Sequence, residues 1–169
     1  MITGAVADDG WRLGPPYDAD IEELMLWFPN ARSVDQWSGP RFRYPFTPQS
    51  FRHDCRLDEV HSFCLRDPDG AMCGFGQYYD RDDRGHLARL ITHPQMRRRG
   101  IGKRLIRMLI RAARTHSGHT RYSLFVYKDN GPAYRCYLSL GFVVQEYPDD
   151  APLKGKCYFL TWEDDLPEA

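Results

Sequence analysis

The stretch RRRGIGKRLIRMLIRAA, residues 97–113, sets three arginines against two glycines and then runs straight into an amphipathic pattern. From Ile101 the apolar residues fall at Ile101, Leu105, Met108, Leu109 and Ala112, with a neighbouring row of Ile106, Ile110 and Ala113. This spacing predicts a helix with a wide face packed on a sheet. Arg104, Arg107, Arg111 and Arg114 form the opposite row, which reads as a solvated face. Gly100 and Gly102 stand where a loop passes into that helix, and glycine there lets main-chain N–H groups approach a ligand closely. The first-turn N–H groups of a helix have no internal partner and carry the positive end of its dipole. Charge and backbone freedom together describe a cradle for an anion such as a phosphate.

Two nucleotide motifs fail here on residue identity. A P-loop, GxxxxGK[ST], needs glycine five residues before Gly102, where Arg97 stands, and Ser or Thr after Lys103, where Arg104 stands. A dinucleotide fingerprint GxGxxG needs glycine at Leu105.

The flanking segments predict a mixed sheet carrying helices. DADIEELMLWF, 18–28, has apolar residues at Ile21, Leu24, Met25 and Phe28, with Asp18 or Asp20 as N-cap and Pro29 and Asn30 as terminators. ARSVDQWSGPRFRYPFT reads as an ordered loop around a short helix, and a second short helix is expected from Pro48 to about Cys55. HSFCLRD and AMCGFGQYYD flank Pro68-Asp69-Gly70 and read as an antiparallel hairpin. GHLARLITHP is a strand stopped by Pro94. After the basic helix come a strand YSLFVY at 122–127, a helix from about Pro132 to Leu140, and two closing strands in FVVQEY and KCYFLTW.

Composition narrows the function. At 169 residues the chain suits one domain, expected over 1–169 with flexible tails at 1–10 and 163–169. Lys+Arg and Asp+Glu each total 23, so no overall charge excess is available to hold nucleic acid or an anionic membrane. No run approaches the roughly 18 apolar residues of a membrane span, and MITGAVADDGWRLG lacks the pattern of a secretion signal. Cys55, Cys64, Cys73, Cys136 and Cys157 are odd in number, scattered and never paired as CxxC, which argues against disulfides and against a metal site. A cytoplasmic protein is expected.

The pattern RxxGxG, here Arg97, Gly100 and Gly102, preceded by a strand ending LITHP, resembles the acetyl-CoA pyrophosphate loop of the GNAT superfamily of N-acetyltransferases. NGPAYRCYLSLGF, 130–142, is similar to that superfamily's later signature, with Asn130, Ala133, Tyr137, Gly141 and Phe142 at its spacings. The matching order of elements runs from about residue 61 to 162, while WSGPRFRYPF resembles a segment of bacterial members whose acceptor is uncharacterised. The resemblance implies an α/β (α+β) fold. Its centre is a mixed, mostly antiparallel twisted sheet of six to seven strands, flanked by about four helices. It also implies acetyl transfer from acetyl-CoA to a primary amine by direct attack in a ternary complex. An acyl-CoA-binding sensor or partner module without turnover is the alternative.

The resemblance assigns roles residue by residue. Main chain near Leu90, Ile91 and Thr92 would serve the tetrahedral oxygen and the pantetheine arm. Main chain of Arg98, Arg99, Gly100, Ile101, Gly102 and Lys103 would hold the pyrophosphate, with Arg97 opening the motif and Asn130 on the cofactor arm. Tyr137 is nominated as the acid that protonates the departing thiolate, against the plainer reading of a core aromatic. Relatives with a glutamate five residues before the Asn would have it where Phe125 stands; counting back along the preceding strand reaches His86 as the base. An exposed, inert His86 and a water relay are the other readings. Trp27, Phe28, Trp37, Phe42, Tyr44 and Phe46 line an acceptor pocket or are plain core, and Asp149 and Asp150 attract a cationic amine or are a solvated loop. The acceptor is a small-molecule or peptide amine, the unit a monomer or homodimer, and no metal is expected.

Overall fold

The computed structural model describes residues 5–6 and 8–164. Its eight strands are β1 (Ala5–Val6), β2 (Arg12–Gly14), β3 (His61–Arg66), β4 (Met72–Arg81), β5 (Arg84–Thr92), β6 (Arg121–Tyr127), β7 (Val143–Gln145) and β8 (Cys157–Glu163). Five α-helices accompany them: α1 (Asp18–Met25), α2 (Ala31–Ser38), α3 (Pro48–Asp54), α4 (Ile101–Ser117) and α5 (Gly131–Ser139). The mixed, mostly antiparallel α+β sheet has the order β1-β2-β3-β4-β5-β6-β8-β7, with β5 and β6 its one parallel pair among the described residues. The short β1 and β2 at one edge extend the expected six to seven strands. Of the expected tails, Gly10 closes a 3-10 turn and Glu163 ends β8, whereas 1–4, 7 and 165–169 lie outside the described residues.

Helix ends follow local hydrogen-bonding chemistry. At α1 the N-cap is Tyr17, and the Asp20 carboxylate reaches back to its N–H at 2.7 Å, so Asp20 is the third residue of the turn instead of the cap. Asn30 does not merely end α1. Its Oδ1 accepts from the Ser33 N–H at 2.9 Å, which starts α2. Thr47 caps α3 through the Ser50 N–H at 3.1 Å, with Pro48 in the first turn. Both ends of α4 are glycines in the left-handed region, Gly100 at φ 74° and Gly118 at φ 70°.

The two faces of the sheet carry separate cores. On one, Ile101, Leu105, Ile106, Leu109 and Ala112 of α4 pack with Phe63, Tyr78, Leu87, Leu124 and Leu160 from the strands. The helix lies close because β4 contributes Gly76 there: a Cβ at that position would sit 2.6 Å from Leu109 Cδ1 and 2.9 Å from Leu90 Cδ2. On the other face α1–α3 enclose Ile21, Leu24, Phe28, Val34 and Phe51 against Cys64, Met72 and Phe75. Burial of these apolar surfaces, at about 25 cal/mol per Å², is what holds the helices on.

Candidate active site

The sheet opens between β5 and β6. They pair only at Gly85–Tyr122 and His86–Ser123; beyond these, β6 pairs with β8 alone and Leu87–Thr92 pair only with β4. Main-chain groups of β5 on the open side therefore have no strand partner among the described residues.

A bulge sharpens this geometry. The β4–β5 register passes from Gln77–Ala88 to Phe75–Ile91, so Arg89 and Leu90 together face Gly76, and Arg89 takes φ 48°. The extra residue resets the alternation: Leu87 and Leu90, three apart, both pack under α4, while Ile91 joins the opposite core. Arg89 thereby turns toward α2, giving its Nε–H to Ser38 Oγ at 2.7 Å and an Nη1–H to Gln77 Oε1 at 2.8 Å.

The cradle lies at the outer end of the opening. Arg98 (φ 67°) and Gly100 (φ 74°) are both left-handed, and such alternation turns successive N–H groups to one side. No side chain caps α4, and the described residues supply no acceptor to the N–H groups of Ile101, Gly102 and Lys103. A Cβ on Gly100 would meet nothing within 4 Å, so the loop faces open space. A Cβ on Gly102 would lie 3.8 Å from Thr92 Cγ2 and 4.0 Å from Cys136 Sγ, so the end of β5, the start of α4 and the middle of α5 converge there. The arginine row beyond is partly engaged: Arg104 lies over Trp11, 4.6 Å from the ring centre, and Arg114 pairs with Asp164 at 3.2 Å. These residues suit a diphosphate, which needs many N–H donors and local positive charge.

Next to Cys136 on α5 stands Tyr137. Its ring packs on Phe142 at 6.3 Å between centres, its hydroxyl donates to no described residue, and burial raises its pKa above the ordinary phenol value. It stays protonated at neutral pH and free to donate. Asn130 caps α5, its Oδ1 accepting from the Ala133 N–H at 3.4 Å, which leaves its amide NH2 unengaged among the described residues.

His86 sits where the two strands part, but it is not the exposed residue that the turn before it suggests. It is 2 % exposed, with Nδ1 2.8 Å from Ser123 Oγ and its ring between those of Tyr79 and Phe125. Burial, with a smaller push from Arg81, drives its pKa down to about 3. A neutral, enclosed imidazole is a poor acceptor for an ammonium proton.

The acceptor-side aromatics are largely core: Trp27, Phe28 and Phe42 are buried and Trp37 stacks on Phe51 at 5.9 Å. Asp149 is engaged by Lys154 at 2.8 Å, and Asp150 lies 4.0 Å from Arg81. Cationic side chains already answer both. Sequence reading missed Arg89, whose signal was a lone arginine amid the apolar residues of GHLARLITHP.

Solved structures share this fold at low identity. The ribosomal-protein-S5-alanine acetyltransferase of Vibrio fischeri superposes with a TM-score of 0.70 at 15% identity, covering 97% of this chain and 98% of that one. The spermidine N-acetyltransferase of Vibrio cholerae, in complex with CoA and spermine, gives 0.71 at 15%, with 93% and 97% covered. PaiA N-acetyltransferase of Thermoplasma acidophilum, in complex with coenzyme A, gives 0.64 at 17%, with 90% and 98% covered. The fold is thus that of the acetyltransferases. Residues 31–142 match the model of the acetyltransferase (GNAT) family, and the chain belongs to that family: it is an acyltransferase that passes an acetyl group to an amine.

Proposed function

We propose that the acetyl donor is acetyl-CoA and that a primary amine attacks it directly, both substrates being bound together. The observation that carries this reading is the convergence of unpaired N–H groups at Ile101–Lys103 with the open edge of β5 and with Tyr137's neighbour Cys136. Main chain of Arg98 through Lys103, with Arg97 beside it, holds the diphosphate. Unpaired groups of Leu90, Ile91 and Thr92 bind the pantetheine amides and an N–H there stabilises the carbonyl oxygen as it gains charge. Asn130 binds the arm from the α5 side.

The amine nitrogen forms a bond to the thioester carbon, the C–S bond breaks, and the Tyr137 hydroxyl gives its proton to the leaving sulfur. The amine's own proton leaves through water, because His86 is enclosed and neutral. The same reading makes the protein a cytoplasmic monomer or homodimer acting on a small-molecule or peptide amine, without nucleic acid or membrane; among the described residues no helix is long and apolar enough to cross a membrane.

Calorimetry with CoA, joined to thiol release from acetyl-CoA over an amine panel, tests the proposal. Binding with amine-dependent release supports it. Binding with no release under any amine favours a sensor, and no binding sinks both.

A further inference from the structure

On the α2 side of the bulge lies a cavity of about 420 Å³, walled by Ser38, Phe42 and Leu153 and by the cations Arg41, Arg56 and Arg89. Arg89 is the unusual member. Its Nε and Nη1 are held by the neutral Ser38 and Gln77, no carboxylate of a described residue lies within ion-pair distance, and Nη2 has no described partner. Burial lowers its pKa from the ordinary guanidinium value, so a charge is being kept in a half-buried place without its counterion. Gln77, wholly buried, is itself fixed by donating to the Cys55 carbonyl and Ser62 Oγ, both at 2.8 Å, so the guanidinium plane is set from below.

The other charges around the cavity do not neutralise it. Asp54 also lines the wall, but its carboxylate takes the Arg43 N–H at 2.9 Å and the Arg43 guanidinium through two bonds of 3.0 Å. Arg56 pairs with the exposed Glu59 at 3.1 Å, while Arg41 and His53 add further basic groups at the rim. A polyamine entering this space would meet like charge.

We infer that the acceptor is an amine that also carries a carboxylate, which docks on the unpartnered Nη2 of Arg89. The inference deepens the acetyltransfer reading and rests on it: Arg89 directly precedes Leu90, so an anchor on its side chain holds the amine next to the main chain assigned to the thioester. A guanidinium whose Nη2 N–H groups are unpartnered among the described residues offers a carboxylate charge-assisted hydrogen bonds. The shared chemistry has two sources, a free amino acid or an Asp or Glu side chain near the amino terminus of a peptide.

The test compares matched acceptors on the full-length protein, following thiol release and the mass of the acetylated product: free amino acids against their amides and methyl esters, peptides with Asp or Glu near the terminus against Asn or Gln, and spermidine. At least a tenfold preference in kcat/KM for the carboxylate form is expected, and the arm that shows it names the source. Arg89→Gln should abolish that preference and raise the acceptor KM at least tenfold with CoA affinity unchanged; a purely structural cross-link to α2 would leave the preference intact. Amides, esters or spermidine used as well as the acids by the wild-type protein would overturn the inference while leaving acetyltransfer standing. Binding of CoA with no amine acetylated would bring down both.

Discussion

The Tyr127 hydroxyl, at the last residue of β6, donates to Asp35 Oδ1 across 2.6 Å and so fastens that strand to α2. Because Ser38 at the end of the same helix holds Arg89 of β5, α2 straddles the opening in the sheet and is anchored to both of its sides. Burial, and then the Asp35 carboxylate, raise the Tyr127 pKa, which keeps the phenol a donor at neutral pH. Tyr127→Phe should cost about 1–3 kcal/mol in denaturant unfolding, since a partly buried carboxylate loses its donor. The acceptor KM should rise with CoA affinity unchanged; equal losses in both would deny α2 a role specific to the acceptor side.

Gly100→Glu should weaken CoA binding at least tenfold by calorimetry, because it sets a bulky carboxylate immediately before the first turn of α4, where it competes with a diphosphate for the same positive end of the helix. The left-handed backbone adds strain common to any side chain there. Gly118→Glu supplies the control, being left-handed at the other end of α4 and also with nothing within 4 Å of a Cβ. If the two variants bind CoA alike, the diphosphate lies elsewhere.

Tyr137→Phe should retain CoA affinity and lose kcat by a factor on the order of 10² or more, since the ring still packs on Phe142 while the donor is gone. An acyl donor whose thiol leaves more readily should recover much of the loss. Wild-type turnover on a verified acceptor would reduce Tyr137 to a packing residue.

His86 makes stability depend on acidity. Its folded pKa of about 3 lies below the ordinary value of 6.5, so protonation favours the unfolded chain. Its contribution is fully present above pH 6.5 and is lost as the pH falls from there toward 3, with a slope of up to about 1.4 kcal/mol per pH unit. Unfolding free energies measured across that window should fall less steeply in His86→Gln. The same variant should keep an activity profile parallel to wild type near neutrality, as a water relay requires; a selective neutral-pH loss rescued at higher pH would restore His86 as the base.

Much of the architecture was legible because its signals are local. The apolar rows of 101–113 mark α4, Pro68-Asp69-Gly70 marks the β3–β4 turn, and the glycine before Ile101 marks where the helix begins. Helix α2 was legible only as a short helix somewhere within an ordered loop, since of its eight residues only Val34 is buried. The bulge at Arg89 was invisible because it breaks the very alternation by which strands are read, and with it went the direction of Arg89's side chain. The count along the strand put His86 at the start of β5, but its enclosure depends on Tyr79, Ser123 and Phe125 from two other strands. Similarly, the roles of Asp149 and Asp150 turned on Lys154 and Arg81, brought near only by folding.

The missing side chain at Gly76 works as a spacer of zero thickness. With side-chain carbons of Leu109 and Leu90 already within 3 Å of where a Cβ would be, the leucines seat directly on the β4 main chain, and the spacing of α4 from β4 at that point is set by contact between hard surfaces. Such a joint has no play. On the proposed reading, the half of the molecule that meets the nucleotide end of the donor is the closely packed one, and whatever yielding is needed to admit different amines falls to the loops and short helices on the opposite face.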